Sequence, residues 1–465
     1  MESVALMADV ESMFYQVKVP AADSDLLRFL WWSKGDLSKD LEEFRMVVHL
    51  FGASSSPSCS NYALRRCAED HGDVFNCITA EVIRKHFFVD DCLTSVPTES
   101  DVIQLYKELH AMCAKGEFHL TKWMSNSRGV LNVIPEEERV KEVKDLDLNH
   151  DVLPMERVLG LQWCAESDTF RFKVVIKDRP LTRRGILSVI SAIYDPLPFL
   201  SPVVLSAKMI LQDLCRERIG WDSVIPIKYV QRWRNWLEDL YGLDKCETKI
   251  CLKPVEFGEV TLAQLHHFSA SEEGYGVVSY LLLHNSQSIV HLAFLMGKAR
   301  VAPVKSIIIT RIELTAATLA SRMDRLWKSD LRMKLQDSVF WLDSTAVLKY
   351  IQNESSRFKC FVANRVSEIL RASSEAQWRY IGSANNPADF ASGGLKEQMW
   401  TFGPPFLTRS QEEWPNNPIN LEKSFVQDAE IKQEVVVNTL LVQTEEGGFV
   451  TVYSTTWSSI GVAFR

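Results

Sequence analysis

This 465-residue chain is missing several familiar features. Its ten cysteines have no metal-binding spacing: Cys59, Cys67 and Cys77 are too far apart for a CxxC knuckle, and no CxxC or HxxxH pair occurs. They read as reduced thiols in a reducing compartment. No apolar run spans a bilayer, because the longest, from Ile186 to Leu211, is interrupted by Asp195, Pro196, Pro198, Pro202 and Lys208. The opening MESVALMADV has neither a basic n-region nor a cleavage signature, so neither secretion nor membrane insertion is expected. A Gly-rich phosphate loop is absent, which leaves little support for an unrelated metal-dependent phosphotransferase. Internal repeats and low-complexity tracts are also absent. The net charge of −8 argues weakly against coating nucleic acid by bulk charge, but not against a local basic channel. No basic cluster reads as an import signal, so cytoplasm and nucleus both stay open.

What is present reads as a soluble globular chain of about three domains, with no preference for an oligomeric state. SVALMA (residues 3–8) is a short apolar run of the kind that forms a strand buried on both faces, closed by Asp9. A second strand is expected over residues 14–19. Ser56-Pro57 opens a helix with serine at the cap, and Gly72 ends it. FFV and CLT flank Asp90-Asp91 as two strands around a two-residue turn. A helix follows over residues 101–115, then a hairpin of VLGLQW with FRFKVVI, then helices to about residue 245. Strands return over 262–295, a helix over 312–327, a strand over 338–344, a helix over 361–372 and a strand over 376–381. Four prolines after Gly403 suggest a tail.

The adjacent aspartates need weighing. One such pair is expected by chance in a chain this long, and aspartate suits hairpin turns. Apolar flanks and Asp9 at the end of another buried strand change the balance. If those strands are neighbours, three carboxylates converge, repel and raise one another's pKa. The usual offset is a hard divalent cation such as Mg²⁺. Two such ions can activate an attacking oxygen and stabilise a leaving pyrophosphate.

ALMADVESMFYQVKV, FGASSSPSCSNYALR, FFVDD, GEFHLTKWMSN and VLGLQW occur in that order. The series resembles the palm motifs of retroelement reverse transcriptases, most closely the BEL/Pao class of LTR retrotransposon polyproteins, over about 400 residues. The resemblance implies an α/β (α+β palm) fold with a helical thumb or connection, followed by an RNase H-like α/β domain. It implies Mg²⁺, with Mn²⁺ as a substitute, held by Asp9, Asp90 and Asp91, with Val10 lending its backbone carbonyl. Phe14 would be the steric gate against a ribose 2′-hydroxyl, though it also reads as a core phenylalanine on a strand. Lys122 would assist the pyrophosphate leaving group, though it also reads as a solvated surface lysine. Gly52 and Ser55 to Pro57 would pack against template and nucleotide. The implied partners are an RNA template, a DNA primer, an RNA–DNA hybrid and dNTPs.

Residues 262–395 resemble the RNase H domain of the same polyproteins, which cleaves hybrid RNA with four carboxylates and two Mg²⁺ ions. Glu313, Asp343 and Asp389 match three of the four. Each also has a local reading: Thr310 and Glu313 form a capping box, Asp389 sits in the first turn after Asn386-Pro387, and Asp343 ends a strand. The fourth acid is absent. The family has aspartate directly before Ala-Ser, and here Ser269 precedes Ala270-Ser271, with Glu272 and Glu273 off the strand position. A hydroxyl cannot bridge two cations, so weak or absent cleavage is expected. Gly393 also stands where the family usually has arginine.

The implied organisation is a palm over 1–177, a thumb or connection over 178–255, an RNase H-like domain over 256–400 and a tail over 401–465. The second segment matches the region labelled Pao-type peptidase, but it contains no peptidase chemistry and no Asp-Ser/Thr-Gly protease signature. The first palm motif begins at residue 9, so the family's fingers strands would be missing and polymerisation would suffer. Two readings follow: an RNA-directed DNA polymerase fragment with an impaired RNase H domain, or an inactive relic or host-adopted nucleic-acid-binding protein.

Overall fold

The computed structural model describes all residues except 1, 145, 159–160, 173–176, 194, 196–197, 243–246, 255, 272–273, 306, 354–356, 393–397, 419–429, 433–437, 444–448, 457–458 and 464–465. Glu272, Glu273 and Gly393 therefore lie outside the described residues, as do parts of the VLGLQW and FRFKVVI runs. The fold is mixed α/β.

Strand β1 (Val4–Val10) is buried along most of its length. It extends one residue past Asp9, so the aspartate lies within the strand rather than after it. The expected strand at 14–19 does not form. Ser12, at φ 50°, turns the chain out of the sheet, and Met13–Gln16 coil into a 3₁₀ turn. An exposed hairpin then follows, β2 (Arg28–Trp32) against β3 (Leu41–Arg45). Sequence periodicity missed it because Phe29, Leu30 and Trp31 are all largely exposed, so no alternation marks an inner face.

The helix Ser56–His71 starts where Ser-Pro suggests, but no serine side chain caps it. Ser55 is already helical, and the Ser56 hydroxyl instead lies 3.4 Å from Nδ1 of His49. After the helix Cys77–Lys85, β4 (Phe87–Phe88) pairs with β5 (Asp91–Val96) in the register Phe88↔Asp91. The two turn residues are thus Val89 and Asp90, not Asp90 and Asp91, and Asp91 opens β5. The helix Glu99–Lys115 is capped by Thr98 and leads to β6 (Leu120–Ser125). These strands make one antiparallel sheet in the order β4-β5-β1-β6, with β1 in the interior.

A smaller sheet, ordered β10-β9-β8-β7, joins β7 (Met155–Val158), β8 (Leu161–Cys164), β9 (Thr169–Arg171) and the later β10 (Glu247–Lys249). Between β9 and β10 run the helices Arg183–Ser191, Ser201–Arg216 and Ile227–Tyr241. Their apolar faces, including Trp233 and Trp236, join the same core as β1, β5 and β6.

The second large sheet contains β11 (Val260–Ser271), β12 (Gly274–Asn285), β13 (Val290–Val301), β14 (Val339–Leu342) and β15 (Trp378–Tyr380), in the order β13-β12-β11-β14-β15. The first three are antiparallel, whereas β14 runs parallel to β11 and β15 parallel to β14. The helix Ile309–Asp330 packs on one face beside the helix Cys360–Leu370. The other face is covered in part by Phe406, Leu407 and Trp414. The stretch read as the start of a tail is therefore a lid on this core. Its prolines hide any helical or strand period, but its aromatics are buried. Further on, Glu430 pairs with Arg311 at 2.7 Å, and a separate sheet joins β16 (Asn438–Gln443), β17 (Phe449–Thr456) and β18 (Ser459–Ala463). The helix Ser201–Arg216 ties the two large units together. Val203, Ala207 and Ile210 enter the first core, and Leu205 and Met209 pack in the second.

Candidate active sites

The first site is set by register. Pairing of β1 with β5 puts Asp9 directly opposite Asp91. The Val10 amide donates to the Asp90 carbonyl at 2.8 Å, pinning the turn to the end of β1, while the Val10 side chain is buried. Val89 holds φ 56°, a region a β-branched residue enters only under strain. On the other side of β1, the register with β6 slips between Met7 and Asp9, so Lys122 and Trp123 together oppose Ala8. Lys122 sits in this bulge at φ 53°. Bulges re-aim side chains, and this one sends the Lys122 ammonium to Oδ2 of Asp9 at 3.0 Å.

The electrostatics follow from this placement. Burial pushes the Asp9 carboxyl up from its ordinary value. Asp90 and Glu11 push the same way, and the Lys122 hydrogen bond pulls it down. The hydrogen bond to Asp9 raises Lys122, helped by the charges of Asp9, Asp90 and Asp91 and opposed by burial. The two shifts do not mirror each other because Asp9 is 19% exposed and Lys122 60%, so desolvation falls mainly on the acid. Three carboxylates serve one lysine, a donor set of hard oxygens that suits Mg²⁺.

This gives a signed expectation for stability. An acid whose folded pKa is raised holds its proton more tightly when folded, so its contribution falls as pH rises above the ordinary carboxylate value near 4. Asp9→Asn removes that loss. In EDTA the variant should melt higher than the wild type by a margin that grows with pH, and millimolar Mg²⁺ should shrink the margin. Paired melts at several pH values, with and without Mg²⁺, measure it; a margin independent of pH contradicts the assignment.

Among the implied substrate-binding residues, Phe14 is half-buried in the 3₁₀ turn rather than in a strand, and its ring lies 5.8 Å from that of Phe51. Gly52, beside Phe51, holds φ 91°, with open space where a β-carbon would stand. Phe14 and the Gly52 segment thus meet through Phe51. Ser55 is exposed and Pro57 half-buried in the first turn of its helix.

The second site lies in the other sheet. Ser269 ends the stretch of β11 paired with β14, opposite Leu342 and one residue before Asp343. It is 3% exposed, and its carbonyl accepts from Asn386 at 3.1 Å. Glu313, on the helix Ile309–Asp330, accepts from the Ser344 hydroxyl at 2.6 Å and is pushed up by burial and by Asp343. Asp343 is also raised by burial, and it hydrogen-bonds Asp389 and Ser383. The three matched acids converge. The helix that carries Glu313 has Ile308 at its N-cap, so Thr310 and Glu313 form no capping box. The serine stands on the strand beside them. Sequence reasoning missed Ser344 and Ser383 and read Asn386 only as part of a helix start, because their contacts here are long-range.

With that geometry established, residues 182–344 match the family model described as the Pao retrotransposon-like RNaseH-like domain. Over this stretch, about a third of its length, the chain is similar to that family. The Pao-type match covers Ser269, Glu313 and Asp343 and stops short of Asp389. It begins in the helices that pack on the first core, and its description is RNaseH-like rather than peptidase. Folds of this kind generally work with divalent metals. No curated protein matches the chain. Among solved structures, a foamy viral protease–reverse transcriptase in complex with double-stranded DNA matches at 9% identity and a TM-score of 0.48, covering 82% of this chain. The chain spans 57% of that protein. No helix among the described residues is long and apolar enough to cross a membrane.

Proposed function

We propose that this Pao-type chain is part of a retrotransposon polyprotein. In this reading its palm performs RNA-directed DNA synthesis, and its RNase H-like domain holds an RNA–DNA hybrid without cleaving it. The observation that carries the polymerase reading is the convergence of Asp9, Asp90, Asp91 and Lys122 through two register choices and two strained residues. The three aspartates would hold Mg²⁺. Bound there, the metal would activate a primer 3′-hydroxyl and neutralise the leaving pyrophosphate. Phe14, steadied by Phe51, would meet the sugar and reject a 2′-hydroxyl. Gly52, with no side chain, would let the backbone approach template and nucleotide, and Ser55 and Pro57 would fix the start of the helix behind it. Lys122, kept protonated by the acids around it, would leave Asp9 for the pyrophosphate and give it a proton.

Lys122→Met tests this division of labour. Loss of a general acid should lower single-nucleotide addition on the order of 10²-fold. Mg²⁺ affinity should hold or tighten, because the lysine competes with the cation for Asp9. Weakened Mg²⁺ binding with unchanged turnover would overturn the role.

The alternative, an inactive nucleic-acid-binding relic, is favoured by one observation, Ser269 at the position of a metal-bridging acid. That departure bears on hybrid cleavage and leaves the palm carboxylates untouched.

A further inference from the structure

Three further ligand-type side chains meet on the palm, none of them among the four residues that carry the polymerase reading. His110 comes from the helix Glu99–Lys115, His119 from the segment before β6, and Glu138 from the 3₁₀ turn Glu136–Glu138. One donor atom from each lies within 4.8 Å of the other two. Nε2 of His110 is 3.4 Å from Oε1 of Glu138. That is long for a charge-assisted hydrogen bond. It matches the roughly 3.4 Å between neighbouring ligand atoms on a tetrahedral metal with bonds near 2.1 Å.

The surroundings hold these donors as metal sites do. Nδ1 of His119 is 2.9 Å from Oε2 of Glu11, which leaves Nε2 for a cation. The Tyr106 hydroxyl donates to Oε2 of Glu138 at 3.0 Å, leaving Oε1. A carboxylate behind a ligating histidine and a donor behind a ligating carboxylate are the outer contacts that fix ligand orientation. The backbone is fixed too: the Glu11 amide donates to the His119 carbonyl at 2.9 Å, and the His119 amide to Oε1 of Gln16 at 3.2 Å. Tyr106 packs edge-on against buried Trp123 at 4.8 Å.

The geometry points to a transition-metal site at His110, His119 and Glu138, suited to Zn²⁺ rather than Mg²⁺. Two imidazoles and one carboxylate favour Zn²⁺, and three protein ligands leave a fourth position for water. The site stands whether or not the palm polymerises. It braces the segment that enters β6 just before Lys122. Sequence spacing could not reveal it, because the ligands come from three elements that only folding brings together.

The test uses the full chain stripped with a chelator and titrated with Co²⁺, then Zn²⁺, by absorption and calorimetry. One equivalent should bind, with cobalt d–d bands and no thiolate charge-transfer band, since cysteines are the competing ligands. His110→Ala, His119→Ala and Glu138→Gln should each weaken binding at least tenfold, and Glu11→Gln about tenfold. The combined Asp9→Asn, Asp90→Asn, Asp91→Asn variant should bind as the wild type does, which separates this site from the polymerase reading. His119 is half-exposed, so His119→Ala should keep its melting temperature in EDTA. A thiolate band, no binding, or equal affinity in wild type and a normally melting His119→Ala protein would overturn the site.

Discussion

Replacing Ser269 with aspartate should switch on Mg²⁺-dependent cleavage of the RNA strand in a hybrid, raising it from background on the order of 10³-fold. A metal clamp contributes several kcal/mol to the transition state, and each 1.4 kcal/mol is about tenfold in rate. Glu313, Asp343 and Asp389 already converge, and Ser269 stands on the adjacent strand at the position before Asp343. The same change carries a stability cost. A fourth acid beside two carboxyls already raised by burial adds repulsion in a desolvated place. Without metal, Ser269→Asp should lower the melting temperature by roughly 5 °C, with Mg²⁺ restoring most of it. Cleavage assays and melts on one preparation read both effects. A variant that folds, regains stability with Mg²⁺ and still fails to cleave would show that more than the carboxylate has been lost.

The second large effect is expected at the palm. Asp90→Asn should cut primer extension on the order of 10³-fold or more, with hybrid binding little changed. Asp90 sits in a turn whose other residue, Val89, is in the left-handed region, and its carbonyl is tied to Val10. That strain is maintained by the surrounding pairs, as is common where a carboxylate must be held in one place. Asn preserves shape and removes charge, so the loss reports the charge. Extension by Asp90→Asn within tenfold of wild type would remove this aspartate from the chemistry.

Much of this was legible in the sequence. The apolar run before Asp9, the FFV and CLT flanks and the Ser-Pro helix start each specify an element through local physics. So do the alternating strands and helices after residue 262. What the sequence hid was geometry set by neighbours. Nothing in FFVDDCLT says that Val89 takes the left-handed corner and shifts the turn back by one residue. Nothing in HLTKW says that a bulge turns Lys122 onto Asp9. The Phe14 segment looked like a strand because its pattern is apolar and β-rich, yet both neighbours of β1 are already taken by β5 and β6. The stretch after Gly403 looked like a tail because prolines erase periodicity, whereas Trp414 packs 6.0 Å from Trp341. Ser269 before Ala270-Ser271 is the departure from the family pattern on which the expectation of weak hybrid cleavage rests.

The most direct measurement is a single reaction containing a labelled RNA template, an annealed DNA primer, dNTPs and Mg²⁺, sampled for both product DNA and shortened RNA. A working palm beside a disarmed RNase H-like site predicts primer extension, lost in Asp90→Asn, with the RNA template left intact. Template cleavage by the wild type that disappears in Asp343→Asn, or no extension under any condition that supports hybrid binding, would contradict it.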